Sequence, residues 1–343
     1  MNSFSFGRRL AAAVAAATSL VAFGAAEPAQ ARPALKQAQP ALMQAEVTRQ
    51  TEDMRLAEYA QQAGDAAGDG RIKVMPLGDS ITWGVGSASE DSYRGALFWR
   101  LNAAGVSIDY VGSMRSGSSP DPDNEGHKGW TIAQLADKVD EWLGTYRPDV
   151  ILLHIGTNDM VRGVQDAPQQ LDALLDRIAG DLPDAQVFVA TIVGLGDYAD
   201  TAAQRFRTAR FNAAIPEIVA AKGPRFHLVD QGGIHGIDMW NREHPNDYGY
   251  QKMAWNWYRA MERALTSGGG DPWPAADNPY RAAFGSRCIQ RSTLGRVVQG
   301  CHTWYHRDHV WQLPVRTKVR YRAKIDGKIV TRVRIVTRWV TAG

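Results

Sequence analysis

From residue 71 to residue 265, short apolar runs alternate with longer stretches in which apolar positions recur every third or fourth residue. Ile72–Leu77, Ile108–Val111, Val150–Ile155, Val187–Ile192 and Phe226–Val229 read as five short strands. Tyr93–Ala104, Ile132–Leu143, Pro168–Asp181, Ala203–Ala221 and Asp247–Leu265 read as helices. In the last of these, Tyr250, Met253, Trp257, Met261 and Ala264 share one apolar face. Strand–helix alternation with short connections predicts a parallel sheet covered on both faces. Beyond residue 280 the pattern changes to alternating runs, Val310–Leu313, Val315–Ile325 and Ile329–Trp339, with a shorter one at Arg296–Val298. These predict a second, all-β unit.

Charge separates the same two units. The 343-residue chain has a formal net charge of only +3. Residues 32–266 carry 23 Lys/Arg against 31 Asp/Glu, whereas residues 280–343 carry 14 against 2. An acidic body with a basic tail implies different partners for the two parts. The hydrophobic content of 44% excludes wholesale disorder.

Residues 1–31 have the layout of a secretory signal peptide. Arg8-Arg9 form a positive region, Leu10 to Ala26 is apolar, and Ala29-Gln30-Ala31 supplies small residues for cleavage. The stretch is short and Ala-rich, which disfavours a membrane span. The residues after the Arg pair match a twin-arginine signal poorly, so the general export route is expected. Residues 32–70, rich in Ala and Gln, read as a linker or pro-segment with a helix around 43–62. Residues 266–286 read as a Gly/Pro linker, and 287–343 as a small basic β domain. The two cysteines, Cys288 and Cys301, lie in this domain. In an exported chain they predict a disulfide.

Candidate chemistry sits at predicted strand ends. Gly78-Asp79-Ser80-Ile81-Thr82 follows the first strand, and Gly156-Thr157-Asn158-Asp159 follows the third. Gly129, within His127-Lys128-Gly129-Trp130-Thr131, follows the second, and His244-Pro245-Asn246-Asp247 precedes the last helix. Loops at the carboxyl ends of parallel strands build ligand sites. Each signal alone has an ordinary reading as a polar turn or a helix cap. Asp79 and Asp159 read as loop braces, and His154, inside an apolar run, as a core histidine. Tyr93 and Trp130 read equally as walls of a substrate site or as packing residues. No Cys/His cluster suggests a metal, and no cofactor motif is present.

The order GDS, Gly, GTND, His-Pro resembles the SGNH (GDSL-type) hydrolase family over about residues 71–265. The resemblance implies a flavodoxin-like three-layer α/β/α sandwich with a five-stranded parallel sheet, here followed by the small C-terminal all-β basic domain. It implies Ser80 as nucleophile and His244 as general base. It also implies Ser80, Gly129 and Asn158 as oxyanion-hole donors. GDSIT rather than GxSxG argues against an α/β-hydrolase elbow. Attack by a base-activated serine on an ester carbonyl, through an acyl-enzyme, follows from these residue types.

One position departs from the family pattern. Asp is common three residues before the catalytic His, where this chain has Asn241. Three readings follow. Asn241 orients His244, Asp238 reaches back to do so, or the chain is a slow or inactive relative.

The segments Gly78–Trp83, Ser92-Tyr93-Arg94, Tyr110–Ser113, Glu125–Ile132 and Leu152–Asp159 are similar to secreted carbohydrate acetylesterases, including acetylxylan esterases. That implies removal of O-acetyl groups from polysaccharide by a secreted, extracellular enzyme. The alternatives are a carboxylesterase or lipase acting on lipid esters, and a non-catalytic carbohydrate-binding protein.

In the tail, Asp326-Gly327 is a hairpin signal. A three-residue turn ending at Gly327 would pair Ala323 with Ile329. It would then gather Lys318, Arg320, Arg322, Lys324, Arg332 and Arg334 on one cationic face. Such a face suits an anionic polymer or a cell-wall surface. No nucleic-acid motif accompanies the charge. Trp304, Tyr305, Trp311 and Trp339 read as core packing rather than sugar platforms. The tail is therefore expected to be a tether separable from the catalytic body.

Overall fold

A computed structural model describes residues 70–197, 201–267, 272–274, 277–290, 299–307 and 310–341. The expected signal peptide, the expected helix around 43–62 and the short run Arg296–Val298 lie outside the described residues.

All five expected strands form. They are β1 (Ile72–Gly78), β2 (Ile108–Tyr110), β5 (Val150–His154), β6 (Gln186–Ala190) and β7 (Phe226–Val229). β1 lies parallel to β5, β5 to β6, and β6 to β7. On its other edge β1 takes β2 beside residues 72–74 and then a further strand, β4 (Asp123–Gly126), beside 77–78. β4 also pairs antiparallel with β3 (Met114–Arg115). The sheet thus has seven strands in the order β3-β4-β1-β5-β6-β7, with β2 beside β1 and β7 at one edge. β3 and β4 escaped sequence reading because Asp123-Asn124-Glu125-Gly126 carries no apolar run.

Helices cover both faces. They are α1 (Ser80–Trp83), α2 (Ser92–Ala103), α3 (Ile132–Ala136), α4 (Val139–Tyr146), α5 (Thr157–Arg162), α6 (Ala167–Asp181), α7 (Ala202–Ala221) and α8 (Asp247–Thr266). Val74, Leu152 and Phe188 point from the sheet to Leu97 and Leu101 of α2 and to Met253 and Trp257 of α8. Met75, Ile151 and Val187 point the other way, to Leu135, Val139, Leu174 and Ile215. Strand alternation makes two cores from one sheet, which is the α/β/α sandwich. The stretch expected as one helix over Ile132–Leu143 is broken into α3 and α4. Ile132, Leu135, Val139 and Leu143 stay buried in the same core across the break.

The C-terminal unit is a four-stranded antiparallel sheet in the order β11-β10-β9-β8. Its strands are β8 (Phe284–Ile289), β9 (Gly300–Arg307), β10 (Val310–Ile325) and β11 (Lys328–Thr341). Cys288 and Cys301 face each other across β8 and β9 and form a disulfide. Trp304 is fully buried, with Ile289 and Leu313, as expected of a core residue. Tyr305 and Trp339, by contrast, are partly exposed and meet edge to face.

The hairpin register differs from expectation. Lys324 pairs with Ile329 and Ile325 with Lys328, so the turn has two residues. Asp326 and Gly327 take φ values of 48° and 76°, the left-handed pair that a tight hairpin turn requires. The expected segregation of apolar and charged faces would stabilise the hairpin only if one face were buried. Both faces are largely exposed here, with Ile329, Val333 and Ile335 at 70%, 56% and 65%, so turn geometry decides. The cations therefore divide. Lys318, Arg320, Arg322 and Lys324 lie opposite Ile335, Val333, Thr331 and Ile329 on one face. Arg332, Arg334 and Arg338 lie opposite Tyr321, Val319 and Val315 on the other.

Candidate active site

Ser80 opens α1 directly after β1. Gly78, the last residue of β1, has no room for a side chain, since a Cβ there would lie 2.3 Å from the His154 carbonyl oxygen and 2.5 Å from the Thr82 hydroxyl. Asp79 then turns the chain, its Oδ1 accepting the Ile81 N–H at 2.9 Å. Arg94 of α2 holds this turn from behind. It is fully buried and donates to the carbonyls of Thr82 at 3.0 Å, Trp83 at 3.1 Å, Ser116 at 2.9 Å and Pro122 at 3.1 Å. Five donor hydrogens on a rigid fork suit that task.

His244 sits in the loop between β7 and α8. Met239 and Pro245 form an isolated antiparallel bridge across the base of the loop, and the Trp240 N–H donates to the His244 carbonyl at 2.8 Å. Asn241 organises the tip. Its Oδ1 accepts the backbone N–H groups of Glu243 at 3.1 Å and His244 at 2.9 Å, and meets the His244 ring at Nδ1, 3.0 Å away. An amide oxygen can only accept, so Nδ1 carries the proton. Nε2 is then free to accept from Ser80 Oγ, 2.8 Å away. Gly86, at φ 95°, lets its loop close on this segment, since a Cβ there would meet the Pro245 carbonyl at 2.4 Å.

Asn158, near the start of α5, links the remaining pieces. Its amide nitrogen donates to the Trp130 carbonyl at 2.9 Å and approaches Asp79 Oδ2 at 3.4 Å. It thereby bonds to the chain neighbour of Gly129 and to the chain neighbour of Ser80. Gly129 has φ 82°, and the space where a Cβ would stand is open, so conformation rather than crowding favours glycine. Its loop follows β4, not β2 as the sequence suggested. Ser80, Gly129, Asn158 and His244 thus gather at one end of the sheet.

Burial dominates the electrostatics. It lowers the His244 imidazole to about 4, so the ring is neutral near pH 7. It raises the Asp79 carboxyl to about 7, with the Asp159 carboxylate adding to the rise. Asp159 braces a loop, accepting the Ile132 N–H at 3.2 Å. His154 is fully buried with its Nε2 3.3 Å from the Val193 N–H. Tyr93 is a packing residue, fully buried 5.7 Å from the Trp257 ring. Trp130 is half-buried and stacks on His127, which also stacks on Trp142.

Asp238 does not reach His244. Its carboxylate takes Lys252 Nζ at 2.5 Å and Arg287 Nε at 3.0 Å, both buried. This cluster and the Arg94 hub were missed in the sequence. Lys252 beside the apolar face of α8 was the available signal for the cluster, and Ser92-Tyr93-Arg94 in the family resemblance was the signal for Arg94, whereas nothing local marked Arg287. Among the described residues no group of three His, Cys, Asp or Glu is placed to hold a metal, and no helix is long and apolar enough to cross a membrane.

Residues 77–252 match the model of the GDSL-like Lipase/Acylhydrolase family. The chain belongs to this family. All four gathered residues fall within the matched span. The chain is 30% identical over 267 residues to a multidomain esterase of Ruminococcus flavefaciens, across 69% of this chain and 34% of that protein. It therefore spans about a third of that relative's length. A family 3 carbohydrate esterase of Clostridium thermocellum is 37% identical, with a TM-score of 0.51 over 58% of this chain and 100% of that one. A family 3 carbohydrate esterase from Talaromyces cellulolyticus is 28% identical, with a TM-score of 0.49 over 57% of this chain and 98% of that one.

Proposed function

We propose that the protein is a secreted serine esterase that removes O-acyl groups, with acetyl foremost, from carbohydrate. The observation that carries this reading is the relay from Ser80 Oγ through the His244 ring to Asn241 Oδ1, with spacings of 2.8 and 3.0 Å. In the proposed reaction Ser80 Oγ attacks the ester carbonyl and its proton passes to His244 Nε2. Negative charge on the carbonyl oxygen is met by the Ser80 and Gly129 N–H groups and the Asn158 amide. His244 then protonates the departing sugar hydroxyl, and a water activated by the same ring releases the acyl group from Ser80.

The carbohydrate substrate is supported by the family 3 carbohydrate esterase likeness and by the named esterase relative. Export is supported by the leader-like residues 1–31 and agrees with the disulfide. The cations on both faces of the C-terminal hairpin support a second role, retention on an anionic polymer.

The test is mass spectrometry of the protein after treatment with a fluorophosphonate, alongside hydrolysis of acetylated xylo-oligosaccharides and p-nitrophenyl esters of rising chain length. The reading expects a single adduct on Ser80 and a preference for acetyl. An unlabelled Ser80 overturns the mechanism, and a preference for long acyl chains replaces the carbohydrate assignment with a lipid one.

A further inference from the structure

The C-terminal sheet reaches into the loop that carries His244. Arg287 projects from β8 with a fully buried side chain, and its Nε donates to Asp238 Oδ1 at 3.0 Å. Its guanidinium lies between the ring of Tyr248 on α8, 3.7 Å away, and that of Trp311 on β10, 3.8 Å away. Lys252 of α8 takes the other Asp238 oxygen. The Asp238 carbonyl accepts the Asn246 N–H at 2.9 Å, and Asn246 Nδ2 donates to the Ile237 carbonyl at 2.8 Å, so the two stems of the loop are pinned together. Two further contacts come from the C-terminal sheet. The Gln290 N–H donates to the Trp240 carbonyl at 2.6 Å, next to Asn241, and Ile237 packs with Ile289, Trp304 and Leu313. A tethered module joined only by a linker would need none of these contacts.

We infer that Arg287 is a positioning residue for the esterase reaction, and that the C-terminal sheet is part of the catalytic unit. By clamping Asp238 against α8, it holds the loop from Ile237 to Asn246 so that His244 Nε2 stays on Ser80 Oγ. The inference rests on the Ser80–His244 reading above. It replaces the expectation of a tail that can be removed without cost.

The test uses the full chain with Arg287→Met and Arg287→Lys. Met keeps an apolar stem between the two rings and leaves Asp238 paired with Lys252, so no buried carboxylate is stranded. Lys keeps a charge for Asp238 but cannot stack as a planar fork. Thermal unfolding establishes that each variant is folded at the assay temperature, and fluorophosphonate titration counts active sites. Charged or titratable groups on segments around the loop are Asp238, Arg242 and Glu243 within it, Asp79 at the Ser80 turn, Asp197 and His235 nearby, Asp247 and Lys252 on α8, and Arg287 itself. Only the last is altered.

For Arg287→Met, kcat on p-nitrophenyl acetate falls about 10–100-fold per active site, the scale of a misplaced catalytic group. KM stays within about threefold, since the ester does not touch Arg287. The acid limb of kcat/KM moves to higher pH, because a loosened loop admits water to the ring. Arg287→Lys recovers part of kcat. Wild-type kcat and pH profile in Arg287→Met overturn the inference. So does a loss that tracks the unfolded fraction with an unmoved pH profile. A wild-type protein that neither hydrolyses esters nor labels at Ser80 instead overturns the esterase reading.

Discussion

The His244 ring is held at Nδ1 by Asn241 Oδ1, 3.0 Å away, an acceptor that brings no charge. The tautomer needed at Nε2 is therefore set without a carboxylate to stabilise the imidazolium. Burial lowers the ring to about 4, which leaves a weak base, and Asn241 supplies no charge to offset it.

Asn241→Asp supplies the missing charge. A nearby carboxylate raises the imidazole's proton affinity, so the acid limb of kcat/KM moves to higher pH. If the base is strengthened by about two pH units and the transition state feels about half of that, the plateau rate rises about tenfold. A pH–rate profile of the variant between pH 4 and 9 checks both signs. An unmoved limb would mean that His244 is not the titrating base.

Asp79 bears on stability. Its folded-state value of about 7 lies above the ordinary carboxyl value of 3.8. Its contribution is therefore fully present below the unfolded value and is lost as pH rises through about 7. Asn in its place keeps an acceptor for the Ile81 N–H and has no charge to bury. Asp79→Asn should raise Tm by about 3 °C or more at pH 8.5 and by much less at pH 5. Scanning calorimetry at the two values tests this, and an equal shift at both would contradict the burial argument.

Asn158→Ala removes the side chain proposed to meet the oxyanion. The expected loss is about 10²–10³ in kcat with little change in KM. Single-turnover acylation of Ser80 reads the step directly. A loss confined to KM would assign Asn158 to ground-state binding instead.

The Cys288–Cys301 disulfide ties β8 to β9, one residue from Arg287. Opening it, as Cys288→Ser/Cys301→Ser, should destabilise the chain by about 2–4 kcal/mol. Because β8 packs on the His244 loop, esterase activity should fall before global unfolding. Parallel thermal scans of activity and far-UV signal would show the two midpoints separating. Coincident midpoints would indicate that the sheet and the body unfold as one.

Much of the body was legible along the chain. Val150 to His154 has no polar residue until its end, because both faces of that strand are covered by helices. GDS and GTND were legible because each follows such a strand, where short loops place their residues at the sheet's edge. The strand Asp123–Gly126 was not, since it is a short segment of polar residues held between β1 and β3. The hairpin register misled the alternation argument for a related reason. That argument assumes a buried face, and this hairpin has none along most of its length.

The five alternating strands and helices of the body, the family motifs, the cysteine pairing and the charge division between body and tail were all written in the residue order. These are properties of local pattern and count, and they survive in any compact arrangement of the chain. Which group faces His244 Nδ1 depended on folding, because Asn241 and Asp238 are both near it in sequence and differ only in where the loop aims them. Folding likewise closes Arg287, 43 residues beyond His244 in the numbering, on Asp238. A buried ion pair is selected by the space and the partners that folding brings together, and no local pattern records that meeting.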